Sequence, residues 1–120
     1  MAATVVIVDD HAGFRRMARR MFEEAGFVVV AEAADGESGL SAVAALTPQL
    51  VLVDIQLPDL DGFAVARRLA QARTDVVVVL TSSRSAADYG SRLALSPARA
   101  FIPKAELSGP ALLGVLGAVG

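Results

Sequence analysis

The chain contains no cysteine and no tryptophan in 120 residues, so disulfides and thiolate metal centres are excluded. That absence suits a reducing compartment. Aromatic residues make up only 5 % of the chain, and there is one histidine, His11. A metal centre built on two imidazoles is therefore ruled out. No strong charge of one sign is present: 11 basic against 13 acidic residues leave a formal charge of −2, which implies no polyanionic partner. No apolar run approaches the ~18 residues of a membrane span, and the N-terminus lacks the basic-then-apolar pattern of a secretion signal. The expectation is a cytoplasmic domain that binds neither membrane nor nucleic acid directly.

What the chain has in abundance is aliphatic: 54 % of it is apolar, mostly Val, Leu, Ala and Ile. At this length a single domain covering residues 1–120 is expected, since domains cluster at about 100–150 residues. Residues 4–8 (TVVIV) form a β-branched run that reads as a strand buried on both faces. Phe14, Met17, Ala18, Met21, Phe22 and Ala25 then recur at helical spacing, and Gly26 stops that helix. Strands over 27–32, 50–53, 76–80 and 100–103 alternate with helices over 36–46, 63–70, 85–95 and 108–119. Strand–helix alternation with no linker or repeat predicts a doubly wound (βα)5 three-layer α/β sandwich, with a parallel sheet in the order 2-1-3-4-5.

The chemistry concentrates after strand ends. Asp9 and Asp10 close the first strand, Asp54 the third, Thr81 and Ser82 the fourth, and Lys104 follows the fifth. In such a sheet ligands bind at the carboxyl edge, and strands 1, 3 and 4 lie side by side there. Three carboxylates gathered at one edge repel, at roughly 3 kcal/mol per ionised pair for ~5 Å and an effective dielectric of ~20. The cluster therefore invites a divalent cation, and its oxygen-only donors favour Mg²⁺. A carboxylate can accept a phosphoryl group if the charge on the phosphoryl oxygens is neutralised. Asp54 would be the acceptor, Lys104 a compact cation beside it, and a hydroxyl at Thr81 a hydrogen-bond donor to the product.

These motifs resemble a known family. VIVDDH, LVDIQLPDLDGF, VVLTS and FIPK, in this order and spacing, are similar to the receiver domains of two-component response regulators, which have the flavodoxin-like fold. The resemblance implies that Asp54 takes its phosphoryl group from a phosphohistidine on a sensor histidine kinase or phosphotransfer protein. It implies that Asp10 ligates Mg²⁺ directly, Asp9 through water, and Gln56 through its backbone carbonyl. It also makes Thr81 the switch hydroxyl, Lys104 the sensor of the acyl phosphate and Phe101 an aromatic that turns inward. Ser82 is the alternative hydroxyl, because it lies 22 residues before Lys104, the family's common spacing. Two departures stand out: Pro97 replaces the usual Gly-Ala before strand 5, and proline precedes Lys104 where the family often has it after.

On this reading the protein is a signalling switch, not an enzyme. Its output face is helix 4, strand 5 and helix 5, which addresses a downstream effector or an output domain beyond this sequence. Other classes fit less well. An aspartyl-phosphate phosphatase would want a carboxyl acid two residues after Asp54, where Gln56 stands. A flavin-type binding module would want aromatic phosphate loops, and Tyr89 is the sole tyrosine. A degenerate receiver working by constitutive binding would not need Asp9, Asp10, Asp54 and Lys104 intact. Taken singly, Asp9 or Asp10 could merely cap the first helix, and His11 reads as a surface loop residue.

Overall fold

The computed structural model describes residues 2–72 and 75–117. Five strands, β1 (Thr4–Val8), β2 (Val28–Ala33), β3 (Leu50–Asp54), β4 (Val77–Thr81) and β5 (Ala100–Phe101), form one parallel sheet in the order β2-β1-β3-β4-β5. Six helices accompany them: α1 (Ala12–Glu24), α2 (Gly36–Leu46), α3 (Gly62–Gln71), α4 (Ala86–Tyr89), α5 (Ser91–Leu95) and α6 (Gly109–Gly117). The expected doubly wound order is present. The three central strands are buried on both faces, which is why they read as unbroken aliphatic runs and not as alternating ones.

Alternation survives inside those runs as a division between two cores. Val6, Val8, Val51, Val53, Val78 and Leu80 face the layer that includes Phe63, Val65 and Leu69 of α3 and Val43 of α2. Val5, Ile7, Leu50, Leu52, Val77 and Val79 face Ala18 and Phe22 of α1 and Leu112 of α6. A one-residue register slip would exchange the two sets, so the helices on both sides pin the register. On the second face the rings of Phe22 and Phe27 meet edge-on, with centroids 5.0 Å apart.

Two elements differ from expectation. The helix expected over 85–95 is two short ones, because Gly90 adopts φ +55° and ψ −131°, a conformation that ends α4 and is open essentially to glycine alone. The fifth strand is two residues long; Ile102 still donates its N–H to Leu80, but Pro103 has no N–H to give and a 3-10 turn at Lys104–Glu106 follows. The last helix runs Gly109–Gly117 where 108–119 was expected; Ala118 and Val119 lie outside the described residues. Neither Asp9 nor Asp10 caps α1. The N-cap is His11, and its side chain makes no capping bond. Among the described residues no helix is long and apolar enough to cross a membrane.

Candidate functional site

Every strand-end residue singled out above except Phe101 sits at the carboxyl edge of β1, β3 and β4, or in the turn after β5. Asp9 follows β1 directly and is fully buried, and Asp54 is the last residue of β3 and 3 % exposed. Asp10 is exposed at the rim. One ligand atom each from Asp9, Asp10, His11 and Asp54 lies within 4.8 Å of the others. The backbone N–H of Gln56 donates to Asp54 Oδ1 at 3.1 Å, while the Gln56 side chain is exposed. That bond ties the loop after β3 to the carboxylate.

Lys104 closes the cluster from the β5 side. Its Nζ is 2.8 Å from Asp9 Oδ2 and 3.3 Å from Asp54 Oδ2. Asp9 Oδ2 is thus a buried carboxylate oxygen paired with the Lys104 ammonium. A buried carboxylate is costly without a charge partner, and Lys104 supplies one here. With Pro103 before it, Lys104 is in reach of both acids. Burial draws the Lys104 pKa down, but the Asp9 and Asp54 carboxylates outweigh that and raise it overall. The Asp54 pKa is raised, chiefly by burial and further by the charge of Asp9, against the opposing Gln56 amide and Lys104.

The two candidate hydroxyls take different partners. Thr81 pairs in register with Asp54 across β3 and β4, and its Oγ1 donates to the Ile102 carbonyl at 2.7 Å. Ser82 Oγ lies 2.5 Å from the Tyr89 hydroxyl and accepts the Arg84 N–H at 3.1 Å. Both are fully buried. Phe101 is half-buried. Its ring meets that of Tyr89 at 5.9 Å, and Tyr89 in turn meets Phe63 at 5.7 Å.

Several further residues at the edge are not among those the sequence pattern singles out as site residues. Phe14 reads there as an ordinary core position of α1, yet its ring lies under Lys104 Nζ at 4.2 Å, a cation–π contact that steadies the lysine. Arg15 reads as part of a solvated arginine run. It donates from Nη1 to the Asp9 backbone carbonyl at 2.6 Å and from Nε to Glu32 at 3.2 Å, while Arg19 holds the other Glu32 oxygen at 2.6 Å. His11 reads as a loop residue but has Nδ1 3.1 Å from Asp10 Oδ1 and 3.4 Å from Asp9 Oδ1. Asp59 accepts the N–H groups of Gly36, Glu37 and Leu60, which fastens the loop after β3 to the start of α2.

Topology and edge together define a doubly wound α/β domain with a buried acid pair and a lysine at its strand-1 and strand-3 junction. The family model for the response regulator receiver domain matches residues 5–112, and the chain belongs to that family. It is the receiver domain of a two-component response regulator. A protein-glutamate methylesterase/protein-glutamine glutaminase of Anaeromyxobacter dehalogenans is 40 % identical over 106 residues, 88 % of this chain and 30 % of that protein. The transcriptional regulatory protein DegU of Brevibacillus brevis is 33 % identical over 110 residues, 91 % of this chain and 46 % of its own. The chain thus spans less than half the length of these curated relatives. Among solved structures, the receiver domain of a Mycobacterium tuberculosis response regulator designated NarL superposes with a TM-score of 0.86 at 27 % identity, covering 97 % of this chain and 98 % of that one.

Proposed function

We propose that this domain is a phosphorylation-controlled switch in which Asp54 accepts a phosphoryl group from a phosphohistidine on a sensor histidine kinase or phosphotransfer protein. The observation that carries the reading is the convergence of Asp9, Asp54 and Lys104, which come from three separate strand ends, around one buried carboxylate. An Asp54 oxygen attacks phosphorus, the P–N bond to the histidine breaks, and the departing imidazole takes up a proton from solvent. Charge neutralisation governs such a transfer more than acid–base chemistry does. Asp10 and Asp54, with the Gln56 carbonyl, would hold Mg²⁺ directly and Asp9 through water. The carboxylate oxygens that Asp9, Asp10 and Asp54 bring within 4.8 Å of one another fit that ion. When bound it would neutralise phosphoryl oxygens, and Lys104 would neutralise another.

The switch follows from a competition for one proton. Thr81 Oγ1 donates to the Ile102 carbonyl here. A phosphoryl oxygen on the neighbouring Asp54 is an anionic acceptor and the stronger one. Turning Thr81 toward it frees the Ile102 carbonyl next to Phe101, so the change passes to β5 and to the face made with α4 and α6. Ser82 is engaged by Tyr89, which favours Thr81 as the mobile hydroxyl. No carboxyl acid stands two residues past Asp54 to protonate a leaving group, so we read a switch and not a phosphatase. An effector or an output domain would receive the signal, in the cytoplasm.

Intact-mass measurement after incubation with acetyl phosphate tests this. We expect a gain of one phosphate in wild type with Mg²⁺, none with EDTA and none in Asp54→Asn. Phosphate appearing on the Asp54→Asn protein would sink the assignment. Lys104→Ala is expected to be phosphorylated without the accompanying shift in β5 amide resonances.

A further inference from the structure

We propose that Phe14 is the positioning residue of Lys104: its ring holds the ammonium in place while that ammonium exchanges Asp54 for an incoming phosphoryl oxygen. The inference rests on the reading of Asp54 as acceptor and Lys104 as the cation beside it, and it assigns a side chain which that reading leaves out. An ammonium carries three N–H donors and no acceptor, so a lysine drawn into a site needs more than one partner. Only 19 % of the Lys104 side chain is exposed. Three groups surround its Nζ: Asp9 Oδ2 at 2.8 Å, Asp54 Oδ2 at 3.3 Å and the centroid of the Phe14 ring at 4.2 Å. A third carboxylate in place of the ring would pair with the lysine and also repel a phosphoryl group. The ring attracts the cation through its quadrupole and adds no net charge.

Packing alone does not call for an aromatic here. Phe14 is half-buried at the edge of the core that Ala18, Phe22 and Leu112 build, and an aliphatic side chain would serve that packing. What an aliphatic side chain lacks is a face that attracts an ammonium. Phe14 lies near the start of α1, one helical turn before Ala18, which sets it beside the carboxyl end of β1 and not deeper under the sheet. Phosphorylation changes one of the three contacts of the lysine. With a phosphoryl group on Asp54, the N–H now given to Asp54 Oδ2 passes to a phosphoryl oxygen. Asp9 and Phe14 take no part in that exchange and hold the ammonium through it. Without the ring a single contact persists, and the flexible stem of the lysine can swing about it. The competing explanation is that the ring only packs and the lysine only crosses it.

Lys104 is the only lysine in the sequence, so NMR of protein labelled with ¹³C-lysine reads this side chain alone. We expect its ε-methylene protons to be shifted upfield by the ring in wild type and in Phe14→Tyr, and that shift to be lost in Phe14→Leu. We also expect the initial rate of labelling by acetyl phosphate in Mg²⁺ to fall about three- to tenfold in Phe14→Leu, the size of one cation–π contact, and to return in Phe14→Tyr. Phe22→Leu alters fully buried packing on the same helix and should leave both the lysine shift and the rate unchanged. The same lysine shift in wild type and Phe14→Leu would overturn the proposal, and so would an equal loss of rate in Phe14→Leu and Phe22→Leu. Wild type that takes up no phosphate would overturn the acceptor reading instead, and the lysine shift would still decide whether Phe14 seats Lys104.

Discussion

Gly62 opens α3 where a side chain has no room, and adding one methyl there makes a severe test of how the acceptor strand is held. A Cβ at this position would lie 2.8 Å from the Asp54 carbonyl oxygen and 2.8 Å from the Ile55 Cα. Both are backbone atoms, so no side-chain rotation relieves the overlap. Either α3 tilts away from the sheet or the Asp54–Ile55 peptide shifts. The Gly62 N–H to Ile55 carbonyl bond of 2.9 Å is strained in both cases. Overpacking of this kind costs about 1–3 kcal/mol, and the smaller unfolded-state entropy of alanine returns about 0.4–1. The expected net loss for Gly62→Ala is about 1–2 kcal/mol, or a fall in Tm of about 3–10 °C for a domain this size. Gly114→Ala on α6 is the matched control, since a Cβ there meets nothing within 4 Å. It should stabilise by up to about 1 kcal/mol through helix propensity alone. Urea unfolding gives both numbers at an unchanged m-value, and a Mg²⁺ titration should show Gly62→Ala weaker, because the displaced peptide links Asp54 to Gln56. A Gly62→Ala protein as stable as wild type would refute the reasoning, since the contact would then be one the chain relaxes without cost.

Two further expectations concern the site and its neighbour. Asp54 has its pKa raised by burial, so its protonated form favours folding below the unfolded-state value near 3.8 and that contribution is lost as pH rises through the folded value. In EDTA, Asp54→Asn should therefore gain thermal stability over wild type at pH 7 and lose that advantage towards pH 4; a Tm difference that does not vary with pH would contradict the burial of the charge. Tyr89→Phe keeps the ring between Phe63 and Phe101 but removes the hydroxyl from Ser82, at an expected cost of about 1 kcal/mol in urea unfolding. A double-mutant cycle with Ser82→Ala should return a coupling of about 0.5–1.5 kcal/mol, and zero coupling would mean that the bond is not formed in solution.

The layered fold is legible because its main determinant is local: Val5–Val8, Leu50–Val53 and Val77–Leu80 are buried whichever way the helices cross, and the alternating helical stripes then leave few topologies. The acids and Lys104 are legible for the same reason, since each directly follows such a run. Legibility ends where a residue acts through a distant partner. Phe14 has the spacing of any core helix residue, and only the three-dimensional crossing of α1 over the turn after β5 sets its ring against Lys104. The break at Gly90 is a matter of one dihedral angle. A glycine inside a polar, weakly periodic segment is compatible with either a continuous helix or two turns, and the docking of Tyr89 against Ser82 accompanies the second.

The loop from Ile55 to Asp61 is fastened at both ends. Gly62 bonds back to Ile55, and Asp59, whose pKa is lowered by the amides of Glu37 and Gly36, clamps it to α2. Beyond β4 the chain is held by side-chain contacts of Tyr89 and by the Arg92–Asp61 ion pair of 2.8 Å, with a glycine joint at residue 90. The two sides of Asp54 therefore differ in how they are fastened, one through backbone amides and the other through side chains. With Asp54 as the proposed acceptor, a rearrangement there is expected to pass toward α4, where the chain is held by side chains and a glycine joint, and not toward α2, where backbone amides are clamped.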